Sequence, residues 1–264
     1  SQSIVRFRDG EWVGYGLLDG PDSVKQLTHS PFDETAGAPA EPVGLSIPLA
    51  DVTLLSPLAA PRIFGVGLNY ASHARETNNP EPKVPMLFMK PSTSVIGPNE
   101  PIVYPREGEN VHFEGEVAVV IGKRARRISE AEADGVILGY TCGNDVSERV
   151  IQKAEMDQRC LLIGKGFDTF NPLGPAIVTD LDPEALTLLA RLNGEEKQRI
   201  DTSDLIFSVR QLVSYLSQAI TLLPGDVIMT GTPSGVGPMV PGDTIEIEVE
   251  GVGVLSNPVV AEAA

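Results

Sequence analysis

The chain has 264 residues, 42% of them hydrophobic, enough to bury a sizeable core in one β-rich domain or in a small and a larger one. Its 36 acidic against 20 basic residues leave a formal charge of -16, which opposes binding to nucleic acid or to an anionic membrane. No run approaches the roughly 18 apolar residues of a membrane helix, the first residues lack a signal-peptide core, and Cys142 and Cys160 lack CxxC spacing, so a cytoplasmic protein in a reducing compartment is expected.

The 26 glycines and 22 prolines point to many short strands joined by turns. Residues 4–18 read as two strands around Asp9-Gly10, and the Pro/Ala/Gly-rich stretch 36–44 reads as a loop. A small N-terminal β domain with its linker is therefore expected over residues 1–60, and a larger domain over 61–264, with Pro57 and Pro61 breaking regular structure between them. The larger part should open with a strand at 62–66, a short helix near 69–76 and an apolar strand at 86–89. A longer strand at 111–121 follows, then a buried strand at 135–142 that feeds a helix over about 146–156. Residues 209–222 have helical spacing, and 226–230 and 244–249 read as closing strands. The fold class expected is mainly β (α+β), a mixed β-sandwich or roll with peripheral helices.

Glu114 and Glu116 are two apart, so on a strand they share one face, continued by Ala118 and Val120, while Phe113, Val117, Val119 and Ile121 form the other. A strand apolar on both faces puts two adjacent carboxylates in a place where they repel and lose solvation unless a cation or protons compensate. The alternative is a solvated pair at the strand's exposed end. Asp145 follows the next buried strand and reads either as a helix cap or as a third carboxylate of an all-oxygen set suited to magnesium, manganese or calcium. Arg149 and Gln152 share a helical face beside it, and Lys165 sits between Gly164 and Gly166, which allow close backbone approach; a lone lysine is otherwise ordinarily solvated.

Six ordered motifs resemble the fumarylacetoacetate hydrolase family over about residues 62–254: GLNYASHARE (67–76), FMKPS (88–92), HFEGEVAVVIGK (112–123), GYTCGNDVSER (139–149), KGFDTFNPLGP (165–175) and LLPGDVIMTGTPSGVG (222–237). The resemblance implies a catalytic domain of the mixed β-sandwich roll type, often behind a small N-terminal β domain, and a homodimer. It implies that Glu114, Glu116 and Asp145 bind the metal, magnesium or manganese with calcium as a third candidate. It puts Lys165 in the active site, Arg149 and Gln152 against the substrate, and Thr232 on its carboxylate. It also implies a segment that folds over the site and brings His73 and Glu76 to the substrate, where Glu76 orients His73 or holds a water with it; the other reading of that segment is a polar surface helix. Because the helix is brief and Asn78-Asn79-Pro80-Glu81-Pro82 follows it, residues 69–82 are expected to form a lid with little packing of its own. His112 is read as a support for its strand, and His29 has no assigned role. Leu68, Glu148 and the stretch Arg159-Cys160-Leu161-Leu162 depart from common family versions, which leaves the substrate open.

The partner implied is a small anionic 2-oxo acid. Such an acid chelates a divalent cation, which stabilises an enolate. Three outcomes share that device: C-C hydrolysis of an acylpyruvate- or fumarylpyruvate-like substrate, favoured here because His73 and Glu76 offer a way to hold water; decarboxylation of an oxaloacetate-like acid; and a 2-hydroxymuconate-type isomerisation. Gly65-Val66-Gly67 is like a dinucleotide loop, but Tyr70 stands at the third glycine, so an oxidoreductase is disfavoured. A non-catalytic metal-binding scaffold is the remaining rival.

Overall fold

The computed structural model describes residues 1–264, and strands dominate it. At the centre of a 12-stranded mixed sheet, Gly115–Ile121 runs antiparallel to Ile137–Asn144 on one side and to Val227–Met229 on the other. The alternation of this strand decides the layering. Val117, Val119 and Ile121 turn to one face, where they meet Leu188, Ile247 and Leu255 of a separate five-stranded sheet. Ala118 and Val120 turn to the other, where they pack with Leu173, Ile177 and Val227. The expected two-sided burial and the mixed β-sandwich are therefore both present, with helices at the periphery.

Helix Val209–Ala219 closes the larger core. Ser208 and Gln211 form a reciprocal capping box at its start, and Val209, Leu212, Val213 and Leu216 fall at the spacing that puts one stripe against the sheets. No helix is long and apolar enough to cross a membrane.

Ser3–Asp9 and Trp12–Leu18 form the expected hairpin, with Gly10 at φ 59° in its turn. The hydrogen-bond ladder does not stop at residue 60: Ser3 and Ile4 pair with Val178 and Ile177 of strand Asn171–Val178, so the N-terminal strands extend the main sheet. The stretch expected as a loop over 36–44 already turns into strand Pro42–Pro48 near its end.

Two elements differ from expectation around the site. The strand expected over 111–121 is two strands, Val111–Phe113 in a small three-stranded sheet and Gly115–Ile121 in the main one. Glu114 is the break, where its N–H donates to the Asn144 side chain at 3.0 Å and its carbonyl accepts from Asp145 N–H at 2.8 Å. The helix expected from about 146 begins only at Arg149, because Ser147–Glu148 first pairs as a strand with Val111–Phe113.

Candidate active site and metal centre

The break at Glu114 gathers the carboxylates. Oxygen atoms of Glu114, Glu116 and Asp145 all lie within 4.8 Å of one another, and all three residues are buried. The solvated-pair reading is thereby excluded. Asp145 is not the helix cap either: Glu148 takes that position, accepting from Ile151 N–H at 2.7 Å and, through its other oxygen, from Asn110 N–H at 2.7 Å.

Three cations meet this cluster from three elements. Lys165 Nζ reaches Glu114 Oε2 at 3.0 Å, Asp145 Oδ2 at 2.9 Å and Ser147 Oγ at 2.7 Å. Lys90 Nζ reaches Asp145 Oδ1 at 2.6 Å, and Arg149 Nη1 reaches Glu114 Oε1 at 2.7 Å. Burial alone would raise the Asp145 pKa, but Lys165 and Lys90 outweigh it and hold the carboxyl below its ordinary range. Burial also pulls Lys165 down, and the Asp145 and Glu114 charges more than reverse this.

Glu116 is the unbalanced member. Its carboxylate has no cationic partner and accepts one hydrogen bond, from Gly231 N–H at 2.9 Å. Burial pushes its pKa well above the ordinary value, with the Asp145 and Glu114 charges adding to the effect. Three buried carboxylates, one of them uncompensated, make a hard-oxygen donor set that fits a divalent cation of the magnesium, manganese or calcium type.

A cavity of about 1020 Å³ opens beside the cluster, and Glu114, Asp145, Lys165, Gln152, Thr232 and His73 all line it. Glu116, Arg149 and Glu76 do not. Arg149 donates to Gln152 Oε1 at 2.8 Å, and the Gln152 amide nitrogen in turn donates to the Met156 sulfur at 3.7 Å. Gly164 permits this arrangement, because a Cβ there would lie 2.6 Å from the Gln152 backbone nitrogen. The Thr232 hydroxyl is engaged internally: it donates to the Gly115 carbonyl and accepts from Gln198 Nε2, each at 2.8 Å. The Thr232 backbone N–H makes no hydrogen bond within the protein.

The expected His73 and Glu76 pair is indirect. Glu76 is exposed and accepts from the Ser234 hydroxyl, whose oxygen lies 3.0 Å from His73 Nδ1. With the hydroxyl proton directed to Glu76, Ser234 is placed to accept from His73 Nδ1–H, which in the neutral ring leaves the lone pair on Nε2. The lid also begins better anchored than expected. Tyr70 and Ala74 are fully buried, and Asp204 accepts from Ser72 N–H at 2.9 Å and from Ser72 Oγ at 2.6 Å. Only residues 75–81 are exposed without a break.

Lys90, Ser147, Gln198 and Ser234 were not singled out from the sequence. For Lys90 a signal was present, since a lysine ends the apolar run Met86-Leu87-Phe88-Met89 and a charge there must find a buried partner. His112 does support its strand region, with Nε2 3.0 Å from Asn110 Oδ1; burial, then the Arg149 charge, lowers its pKa to about 4.

Residues 62–260 match the family described as fumarylacetoacetate (FAA) hydrolase C-terminal. The chain belongs to the fumarylacetoacetate hydrolase family. Residues 3–57 match a second family, Rv2993c-like, N-terminal. Among fumarylacetoacetate hydrolase relatives, the chain is 43% identical to the mitochondrial oxaloacetate tautomerase FAHD2A of Bos taurus, over 81% of this chain and 71% of that one. It superposes at a TM-score of 0.89, with 42% identity and full coverage of both chains, on 2-hydroxyhepta-2,4-diene-1,7-dioate isomerase from Mycobacterium marinum. A third similar structure is maleylpyruvate hydrolase from Sphingobium sp. SYK-6 in complex with manganese (II) and pyruvate, at a TM-score of 0.79 and 29% identity over 99% of this chain and 100% of that one.

Proposed function

We propose that this protein is a divalent-metal-dependent isomerase or tautomerase of small 2-oxo acids, moving a proton between the carbon beside the keto group and another position of the same molecule. The carrying observation is the single basic ring nitrogen in the cavity: His73 faces the space beside the carboxylates, while Glu76 is turned to Ser234 and is not there to hold a water.

Glu114, Glu116 and Asp145 would hold magnesium or manganese, which when bound supplies Lewis-acid polarisation of a 2-oxo carboxylate. Lys165, Gln152 and Thr232 all line the cavity beside the cluster, so the Lys165 charge, the second N–H of the Gln152 amide and the Thr232 backbone N–H would receive the carboxylate end. His73 Nε2 takes the proton from carbon, and the Ser234 and Glu76 contacts hold the ring in the required tautomer and stabilise its charged form. Leu161 and Phe88, half-buried in the cavity wall, would limit water around the ligand, which favours return of the proton over attack by solvent. The isomerase and tautomerase relatives above 40% identity support this reading.

C-C hydrolysis is the second reading, favoured by the maleylpyruvate hydrolase neighbour with its manganese and pyruvate. The two are separated by incubating manganese-loaded protein with oxaloacetate and with unsaturated 2-oxo diacids in deuterated water. Proton transfer gives deuterium uptake or a shifted double bond with the carbon skeleton intact, faster than buffer and abolished by a chelator. Cleavage to pyruvate and a second acid would establish hydrolysis instead, and a dead panel would overturn both.

A further inference from the structure

The stretch 159–162, which departs from common family versions, forms part of the cavity wall. Its first residue holds an unusual position. Helix Arg149–Asp157 ends with Arg159 N–H donating to the Met156 carbonyl at 2.9 Å and Cys160 N–H to the Glu155 carbonyl at 3.1 Å, the paired bonds of a helix terminus whose next residue is left-handed. Arg159 is that residue, at φ 61°, where glycine fits with least strain. Its guanidinium makes no ion pair and no hydrogen bond in a chain with a formal charge of -16. A side chain kept at a strained position without a partner in the protein is a candidate for a partner outside it.

Gln152 and Met156 share one face of the helix, Arg159 sits in the turn just beyond its end, and the three together make one stripe on the cavity wall. The stripe runs from an amide donor beside the carboxylate cluster, past an apolar thioether, to a cation. That order of amide, apolar group and cation matches a molecule with one carboxylate at the metal end, a short carbon chain and a second carboxylate beyond it.

We infer that Arg159 is a specificity-determining residue that takes the distal carboxylate of a 2-oxo dicarboxylic acid. The inference rests on the proposed 2-oxo acid reading and adds which end-group the cavity selects. The bound diacid would lie with its 2-oxo carboxylate at Lys165 and Gln152, its methylene or diene carbons on Met156, and its far carboxylate accepting from the two parallel N–H groups of the Arg159 guanidinium.

The test is calorimetric binding to manganese-loaded protein of ligand pairs that differ only at the far end: 2-oxoglutarate against 2-oxopentanoate, and the six- and seven-carbon counterparts. Wild-type protein is expected to prefer the diacid by about tenfold to a hundredfold, the range of a charge-assisted hydrogen bond, in at least one pair. Arg159→Gly should bring that ratio to about one, and Arg159→Lys should retain part of it. Glycine is the natural residue for the left-handed position, so the variant keeps its fold, and its thermal midpoint checks this. Lys83 also lines the cavity as a cation without an ion pair, so a ratio unchanged in Arg159→Gly, or one that collapses in Lys83→Gln instead, overturns the assignment while leaving the 2-oxo acid site standing. Failure of every mono- and diacid to bind wild-type protein overturns the site reading and the inference together.

Discussion

Lys90 Nζ lies 2.6 Å from Asp145 Oδ1 with neither side chain open to solvent, so the base of the carboxylate cluster is a buried ion pair. Burial pulls the Lys90 pKa below its ordinary value, and Asp145 offsets part of that. Removing one partner of a buried pair costs about 3–5 kcal/mol because the other charge is stranded. Lys165 shares Asp145, so Lys90→Met should fall near the lower end in chelator. Manganese should shrink the deficit by restoring positive charge at Asp145. Urea denaturation with and without the ion measures this; equal deficits would mean that Lys90 acts through packing alone.

Glu116 leads to the opposite expectation. Its carboxylate is buried without a cation, so Glu116→Gln, which keeps an acceptor for Gly231 N–H, should leave the metal-free protein at least as stable as wild type. Manganese affinity should drop by more than the roughly tenfold to hundredfold that loss of an outer partner costs. Chemical denaturation in chelator and metal titration separate the two effects.

Ser234→Ala should cut the link between His73 and Glu76 and lower kcat by about tenfold to a hundredfold with little change in KM. Glu76→Gln should do the same, and the double variant should be no worse than either, since both act through one ring. Additive losses would place Glu76 in a separate role.

Hydrogen exchange should divide the expected lid in two. Residues 70–74 are tied down by Asp204 and by the burial of Tyr70 and Ala74 and should be protected in the free protein, whereas 75–81 should exchange quickly and slow when oxalate and manganese are added. Uniform protection with and without oxalate would remove the lid.

Met86, Leu87 and Met89 are exposed on Met86–Lys90, a strand at the outer edge of the main sheet. An open apolar edge of this kind calls for a partner, and a second copy of the chain is expected there. Sedimentation should give a dimer, and Met89→Glu should shift it towards monomer.

Strand periods in the sequence were enough to read the sandwich and to pair Glu114 with Glu116, but alternation left a solvated pair open, and it was the order of motifs that joined Asp145 to them as a metal set. Ser234 was out of reach by such reasoning: it meets His73 across 161 positions, and nothing local to Gly231-Thr232-Pro233-Ser234 announces an imidazole. The helix start was misplaced for a related reason. Asp145 has the chemistry of a cap, but its N–H is already held by the Glu114 carbonyl, and a two-residue strand comes before the helix. Helix propensity lost to a tertiary pairing that only the folded chain reveals.

Strand Asn171–Val178 has its outer edge divided between two neighbours: Val95–Ile96 pairs with Asn171 and Pro172 at its start, and Ser3–Asp9 with Ile177 and Val178 at its end. The N-terminal hairpin thus works as a selvedge, finishing a border that would otherwise fray. A chain trimmed to residues 62–264 would leave the amides and carbonyls at Ile177 and Val178 free to recruit strands from other molecules, and would be expected to self-associate through that seam even with every carboxylate of the cavity in place.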